Sequence, residues 1–183
     1  MPETALESAR SRLTAALFGC VCAIVSGLLV IALFALAACA TTAASGPPPI
    51  YVMRHLNTPE GQRDPDLLPE GQRAAAALPD WFGRTRVRAI YVSDFRRTRQ
   101  TAAPLAARLR LTPIVYDPRD TPALIARVRA GPLPALIVGH SNTVPDIVEA
   151  LGGTRPAPLV HADFGDIWRI TPDGATSRMR IEN

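Results

Sequence analysis

No lysine occurs in this 183-residue chain, so all 20 of its basic side chains are arginines. The arginine guanidinium is a planar fork of donors that fits phosphate and carboxylate oxygens, whereas lysine offers a single point charge. A base-composition bias would also explain the missing lysine, together with the many alanines and prolines. Aromatic residues make up only 5% of the chain and do not alternate with the arginines, which argues against a nucleic-acid partner.

Cysteine is almost as scarce. The three cysteines are Cys20, Cys22 and Cys39, and all of them lie in an apolar N-terminal segment. The remainder of the chain therefore has no disulfide and no thiolate metal site, and its stability must come from packing.

The N-terminal segment has the pattern of an export signal. Arg10 and Arg12 precede an apolar run over residues 13–38, about 26 residues, which is enough to span a bilayer. No charged residue follows this run until Arg54. The positive-inside tendency then predicts a cytoplasmic N-terminus, with the rest of the chain outside.

The end of the apolar run favours lipid attachment. The stretch LAAC at residues 36–39 resembles a bacterial lipobox, which implies cleavage before Cys39 and lipidation of that residue; an uncleaved signal anchor is the alternative. We predict a signal peptide or membrane anchor over 1–39, a Pro/Ser/Thr linker over 40–49 and one folded domain over 50–183. This domain is expected to be tethered at the periplasmic face of the bacterial cell envelope.

From residue 49 onward, short apolar stretches alternate with alanine-rich or capped stretches that favour helix. The predicted strands are 49–55, 88–94, 113–117 and 134–140, and the predicted helices are 70–82, 96–109, 121–130 and 143–151, the last with polar caps before it and glycines after it in the stretch 141–153. A hairpin turned at 172–174 closes the chain. This alternation predicts an α/β three-layer sandwich, in which a mostly parallel sheet carries helices on both faces.

Polar side chains stand where three of the predicted strands end. They are His55, Ser93 and His140, and Arg54 directly precedes the first of them. Since ligands in parallel sheets gather at the carboxyl ends of the strands, these side chains are expected to share one edge.

This combination suits phosphoryl transfer. A neutral imidazole can attack phosphorus and form a phosphohistidine, which splits one difficult displacement into two easier ones. Arg54, Arg97 and a protonated His140 would then hold the charge on the equatorial oxygens. Free N–H groups at the start of the 143–151 helix would add to them.

The same segments resemble the histidine phosphatase superfamily, the phosphoglycerate mutase-like fold. YVMRHLNT at 51–58 resembles its Arg-His signature, and SDFRRTRQTA at 93–102 its Ser-x-x-x-Arg-x-x-Gln-Thr-Ala motif. LLPEGQRAAAAL at 67–78 is similar to its leucine–x–x–x–glycine helix start, and VGHSNTVPDIVEALGG at 138–153 to its second-histidine segment. The four motifs stand in the family's order.

The resemblance implies roles for individual residues. His55 would be the nucleophile, and Arg54, Arg97 and His140 would bind the phosphoryl group. Substrate contacts are predicted for three further residues, Asn57, Ser93 and Ser141. No carboxylate or third histidine has ligand-like spacing beside His55 or His140, so no metal and no cofactor is predicted.

The general acid that should protonate the leaving group departs from the family pattern. Many members carry a glutamate after the Gln-Thr-Ala helix, but this chain has no glutamate between Glu70 and Glu149. Asp120 is the predicted substitute, with Asp117 as its nearest rival. His161 is isolated in the sequence and is interpreted as a surface or loop residue.

The sequence therefore predicts a short, metal-independent phosphohydrolase that acts through a phosphohistidine on His55. Its substrate would be a phosphorylated small molecule or a phosphoprotein, as a phosphomonoesterase or a phosphohistidine phosphatase. The alternative is a catalytically silent lipoprotein of the same fold that binds phosphate or a phospho-sugar. Neither the substrate nor the oligomeric state follows from the sequence.

Overall fold

The computed structural model describes residues 48–181. The predicted export signal or anchor, including Cys39, lies outside this range, as does most of the linker. In the described part of the chain, no helix is both long enough and apolar enough to cross a membrane.

Strands and helices alternate along most of the domain. The strands are β1 (Ile50–Arg54), β2 (Ala89–Ser93), β3 (Ile114–Tyr116), β4 (Ala135–Gly139), β5 (Asp166–Ile170) and β6 (Thr176–Arg180). The helices are α1 (Pro69–Phe82), α2 (Arg96–Leu109), α3 (Thr121–Ala130) and α4 (Val144–Ala150).

The six strands form one sheet in the order β3-β2-β4-β1-β5-β6. Strands β1 to β4 pair in parallel, whereas β5 runs antiparallel to β1 and β6 antiparallel to β5. The terminal hairpin turns at Gly174, whose φ of 83° suits glycine. The predicted α/β fold with a mostly parallel sheet is confirmed.

One apolar cluster lies on each face of this sheet, because successive side chains of a strand point to opposite sides. Met53 packs in the cluster that contains residues of α1 and α2. Its neighbour Val52 packs in the cluster that contains residues of α3 and α4. Helices therefore cover both faces.

The fourth predicted helix, 143–151, agrees with the observed one to within one residue at each end. Residues 141–143 form a turn, in which the N–H groups of Thr143 and Val144 both donate to the carbonyl oxygen of His140, at 3.1 and 2.9 Å. Helix α4 starts only at Val144. These two donors are thus already used, which corrects the expectation that they are free for phosphate.

Candidate active site

Strand β1 brings His55 to the carboxyl edge of the sheet. The His55 N–H donates to the Gly139 carbonyl at 2.9 Å, which extends the β1–β4 ladder by one step. His140 is the residue after Gly139, and the centroids of the His55 and His140 imidazole rings lie 5.4 Å apart. Ser93, at the end of β2, is 2.7 Å from His140. The three strand-end residues therefore meet.

The ring of His55 presents one nitrogen with a free lone pair. Its Nδ1 lies 2.9 Å from the carbonyl oxygen of Leu56. Because a carbonyl can only accept, we assign the proton to Nδ1, which leaves Nε2 unprotonated. Burial lowers the pKa of His55 to about 3, an effect larger than the opposing influence of the Leu56 carbonyl, so the imidazole is neutral at pH 7. This is the form that attacks phosphorus.

His140 is held from both ring nitrogens. Arg97 Nη2 lies 3.3 Å from its Nδ1, and the Ser93 hydroxyl oxygen lies 2.7 Å from its Nε2. Since the guanidinium can only donate, the proton of the neutral ring is assigned to Nε2. Burial lowers the pKa of His140 to about 4, with the charges of Arg97 and Arg54 acting in the same direction. His140 is therefore neutral at pH 7 without phosphate, and its protonation beside a bound phosphoryl group stays a prediction.

The Ser93 hydroxyl holds the ring of His140 by a hydrogen bond. Its side chain is fully buried, and its hydroxyl lies between His140 and the hydroxyl of Thr98, 3.1 Å away. Both hydrogen-bonding directions of the serine are thus used within the protein. We therefore expect Ser93 to position His140 and not to contact the substrate.

Arg54 uses one end of its guanidinium for the protein. Nη1 donates to the carbonyl oxygens of Val160, His161 and Asp163, at 2.7, 3.2 and 3.2 Å. Its Nε is buried and has no hydrogen-bond partner among residues 48–181. Burial lowers the pKa of Arg54, but an arginine stays charged. An uncompensated buried donor on a cation is suited to an oxyanion.

Arg97 is positioned beside His140 by contacts on its other sides. It donates from Nη1 to the Arg63 carbonyl at 3.1 Å and lies 3.5 Å from the Asp64 carboxylate. Its guanidinium carbon stands 4.3 Å from the centre of the Phe95 ring. Only 14% of the Arg97 side chain is exposed, so its charge is directed into the site.

Residues 50–119 match the family model described as "Histidine phosphatase superfamily (branch 1)". This range contains the Arg54-His55 pair and the motif around Arg97. Residues 50–119 are thus similar to the histidine phosphatase superfamily. The resemblance inferred from the motifs is thereby confirmed.

Two solved histidine phosphatase folds resemble the chain. The protein histidine phosphatase SixA, complexed with tungstate, aligns with a TM-score of 0.56 and 18% identity, over 72% of this chain and 96% of that chain. The mycobacterial glucosyl-3-phosphoglycerate phosphatase, complexed with VO3, aligns with a TM-score of 0.58 and 16% identity, over 73% and 98%. At these identities the likeness shows the fold. No curated protein matches the chain.

The Gln-Thr pair of the histidine phosphatase motif holds main chain on either side of the site. Gln100 Oε1 accepts from the Leu67 N–H at 2.9 Å. Thr101 Oγ1 accepts from the Leu56 N–H at 3.0 Å and donates to the Arg97 carbonyl at 2.7 Å. Thr101 therefore ties the residue after the nucleophile to the helix that carries Arg97.

We expect Thr101→Val to cost about 1–3 kcal/mol of unfolding free energy, because it leaves the buried Leu56 N–H without a partner. It should also lower kcat about 10-fold or more, since His55 adjoins Leu56 and a small misplacement of a reacting group is costly. Urea denaturation and steady-state kinetics measure both effects. The exposed Thr112→Val is the matched control; equal values for the two variants would contradict this role of Thr101.

The remaining predicted substrate contacts differ in their surroundings. The buried Oδ1 of Asn57 has no hydrogen-bond partner in the described part of the chain. Ser141 is half-buried in the turn after His140. Their roles stay predictions.

The two aspartates considered as general acid both accept hydrogen bonds within the protein. Asp120 caps α3, and its carboxylate accepts from the Ala123 N–H at 3.0 Å. Asp117 takes two donors of the Arg119 side chain, at 3.0 and 2.8 Å, and this hydrogen bonding lowers the pKa of Asp117 to about 2. The role of Asp120 as an acid stays a prediction. Asp117 is ionised at neutral pH and cannot give a proton.

A cleft of about 590 Å³ adjoins the histidine pair through Phe95. The Phe95 ring stands 5.1 Å from the ring of His140, and it lines the cleft together with Val115 and Tyr116.

In residues 48–181, no group of three or more His, Cys, Asp or Glu side chains is placed to hold a metal ion.

The two buried histidines predict a domain that loses stability in acid. An unfolded histidine has a pKa of about 6.5, above the folded values of about 3 for His55 and about 4 for His140. The unfolded chain therefore binds more protons below pH 6.5. The stability contribution is complete above that pH and is lost as the pH falls toward the folded values. Between pH 7 and 4.5 the unfolding free energy should fall on the order of 2 kcal/mol per imidazole.

Urea denaturation at a series of pH values measures this loss. His140→Gln removes one of the two titrating rings, so its unfolding free energy should depend less steeply on pH than that of the unaltered chain. Identical slopes for the two proteins would assign the acid sensitivity to the carboxylates.

Proposed function

We propose that this domain is a metal-independent phosphohydrolase that acts on phosphomonoesters or phosphohistidine through a phosphohistidine on His55. The observation that carries the proposal is the state of the His55 ring. It is neutral, its Nδ1 is fixed on the Leu56 carbonyl, and its Nε2 is free. Arg54 and Arg97 supply donors for the phosphoryl oxygens, and the ring of His140 lies beside that of His55, with 5.4 Å between their centroids.

In the first step, His55 Nε2 forms a bond to phosphorus while the bond from phosphorus to the leaving group breaks. In the second, water attacks phosphorus, the P–N bond breaks, and phosphate leaves with His55 neutral again. Phosphoryl transfer depends mainly on positioned positive charge. Arg54 and Arg97 supply that charge in fixed orientations. The arriving dianion also favours protonation of His140, which is neutral without it.

The relatives support a phosphorylated substrate and leave its class open. SixA is named a protein histidine phosphatase, and the mycobacterial protein is named a glucosyl-3-phosphoglycerate phosphatase. Structures of these proteins hold tungstate, VO3 or inorganic phosphate. Each of these ligands is an oxyanion, as the substrate proposed here would be. We therefore keep both a phosphoprotein and a phosphorylated small molecule as candidates.

The test is hydrolysis of p-nitrophenyl phosphate by the full chain in detergent, between pH 4 and 9, beside the variant His55→Ala. The nitrophenolate leaves without needing a proton, so a weak general acid cannot hide turnover. We expect phosphate release that is lost in His55→Ala and indifferent to a chelator. A quenched reaction with labelled substrate should leave an acid-labile, base-stable label on His55.

Three results would count against the proposal. Turnover that survives in His55→Ala would place the nucleophile elsewhere, and turnover that a chelator abolishes would require a metal. Phosphate binding with no turnover and no label at any pH would favour the silent binding module. In that case the same pocket would retain its ligand without reaction.

We propose further that the N-terminal segment tethers the domain outside the cytoplasmic membrane. The support is the order of features in the sequence, in which Arg10 and Arg12 precede the apolar run and the LAAC stretch closes it. Metabolic labelling with palmitate tests lipidation, with Cys39→Ala as the control. Label that persists in Cys39→Ala would contradict lipidation of this cysteine. A chain recovered in the cytoplasmic fraction would contradict the tether.

A further inference from the structure

The loops around the histidine pair contain six aspartates, and each already accepts a hydrogen bond or ion pair. They follow β1, β2 and β3 or precede β5: Asp64, Asp66, Asp94, Asp117, Asp120 and Asp163. A carboxylate that already accepts a hydrogen bond or ion pair would have to give up that contact before it could reach a leaving oxygen. A substrate with a strongly basic leaving oxygen therefore needs a proton from another kind of side chain.

The turn over residues 160–163 lies at this edge of the sheet. Strand β5 runs antiparallel to β1 and pairs Ile167 with Met53, so the segment before β5 arrives where β1 ends. The turn is closed by its own hydrogen bonds: the Asp163 N–H donates to the Val160 carbonyl at 3.1 Å, and the Asp163 carboxylate accepts from the Val160 N–H at 2.7 Å.

Arg54 connects this turn to the phosphoryl site. Its Nη1 donates to three carbonyls of the turn, one of which belongs to His161, while its Nε has no partner among residues 48–181. The same guanidinium thus faces the proposed phosphoryl group and fixes the backbone of His161. Binding of an oxyanion would therefore restrict the motion of the Arg54 guanidinium and of the 160–163 turn together.

The Phe164 ring packs beside both the His161 ring and the His55 ring. The centroid of the Phe164 ring lies 5.5 Å from the His161 ring and 5.9 Å from the His55 ring. The Arg54 guanidinium stacks over the same phenyl ring, at 4.1 Å from its centre. One aromatic ring therefore separates the exposed imidazole from the nucleophile.

We infer that His161 is the general acid that protonates the leaving oxygen, an inference that rests on the proposed function. As the P–O bond breaks, the imidazolium of His161 gives its proton to the departing oxygen, and an alcohol leaves. In the second step the neutral imidazole takes a proton from the attacking water as the P–N bond breaks. His161 is then imidazolium again, and phosphate is released.

A histidine fits this task because imidazole is the side chain that exchanges protons between pH 5 and 8. His161 is exposed, so a leaving group of any size can reach it, and its backbone does not depend on the ring. Its replacement should leave the fold intact. Within residues 48–181, Glu60 is a competing exposed acid, in the loop that follows the nucleophile.

The test compares two leaving groups on the full chain. Phenyl phosphate must release a basic phenolate, whereas p-nitrophenyl phosphate releases one that is stable without a proton. We expect His161→Gln to lower kcat/KM for phenyl phosphate about 100-fold and to lower it far less for p-nitrophenyl phosphate. Glu60→Gln, the matched control, should affect both substrates equally and weakly, and Asp120→Asn tests the rival acid. Added imidazole should restore part of the phenyl phosphate activity of His161→Gly.

Each other pattern of results overturns the inference. Equal losses on the two substrates in His161→Gln would make His161 a structural residue of the turn. A leaving-group effect in Glu60→Gln or Asp120→Asn, and not in His161→Gln, would assign the acid to that carboxylate. No turnover of p-nitrophenyl phosphate by the unaltered chain would instead defeat the proposed function, so the two failures are distinguishable.

Discussion

Replacing Arg54 with lysine should lower kcat/KM for p-nitrophenyl phosphate about 10²- to 10³-fold, the loss expected when a positioned donor to a developing oxyanion is removed. The charge is conserved in this variant, so the effect isolates geometry. The arginine offers Nη1 to the carbonyls of the 160–163 turn while its buried Nε stays without a partner among residues 48–181. A lysine ammonium is a single point of charge and cannot serve both groups from one position.

The control for this variant is Arg96→Lys. The Arg96 side chain is 60% exposed and pairs with Asp66 on the surface, an interaction that contributes little. Its kcat/KM should stay within about 2-fold of the unaltered chain, in line with the small worth of exposed ion pairs. Vanadate affinity should fall in Arg54→Lys and not in Arg96→Lys. If both variants kept full turnover and vanadate binding, Arg54 would only anchor the turn.

The elements were predictable where local sequence signals and tertiary packing agree. Helix α2 has its apolar residues at helical spacing, and its bounds of 96–109 match the prediction even though Pro104 lies inside it. Helix α3 starts behind a capping Asp120, and its bounds are also those predicted. Helix α4 spans 144–150, one residue shorter at each end than predicted, and the polar residues before it form a turn on the His140 carbonyl.

The site was predictable to the extent that its chemistry resides in side chains at strand ends. His55, His140 and Arg97 were found in this way. The roles of Gln100 and Thr101 were missed because their partners are backbone groups of residues far away in the sequence. Every residue except proline carries the same backbone N–H, so no pattern in the chain marks which one a side chain will hold.

Protonation and loop placement need the folded structure as well. The neutral state of His140 results from burial, which its sequence neighbours do not indicate. His161 has no partner in its local sequence and was interpreted as a surface residue. Its place at the same edge of the sheet as His55 follows only once β5 is known to run antiparallel to β1, which brings the 160–163 turn to that edge.

Replacing Gly71 with alanine should both destabilise the domain and abolish most turnover. A Cβ at this position would lie 2.7 Å from the carbonyl oxygen of Asn57 and 2.9 Å from its backbone nitrogen. Those atoms belong to main chain, which cannot rotate away as a flexible side chain can. Overpacking of this kind typically costs about 1–3 kcal/mol.

The effect on catalysis arises because the displaced Asn57 backbone is connected to the residues that position His55. The Asn57 carbonyl accepts from the Leu68 N–H at 2.8 Å, so the start of α1 and the loop after the nucleophile are joined at this point. Movement of Asn57 would displace its neighbour Leu56. The Leu56 carbonyl accepts from Nδ1 of His55 and thereby leaves Nε2 unprotonated. A shift of about 1 Å at a reacting group can cost about 100-fold in rate. We therefore expect kcat to fall at least that far in Gly71→Ala.

Arg73→Ala is the matched control, because it makes an alanine at an exposed position of the same helix. Urea denaturation separates lost stability from lost geometry: assayed at a temperature where both variants are fully folded, Gly71→Ala should still be impaired and Arg73→Ala should not. Full activity of folded Gly71→Ala would mean that the helix, and not the nucleophile loop, yields to the added methyl group. The glycine of the leucine–x–x–x–glycine motif would then serve packing alone, and the position of His55 would depend chiefly on Thr101 and the β1–β4 ladder.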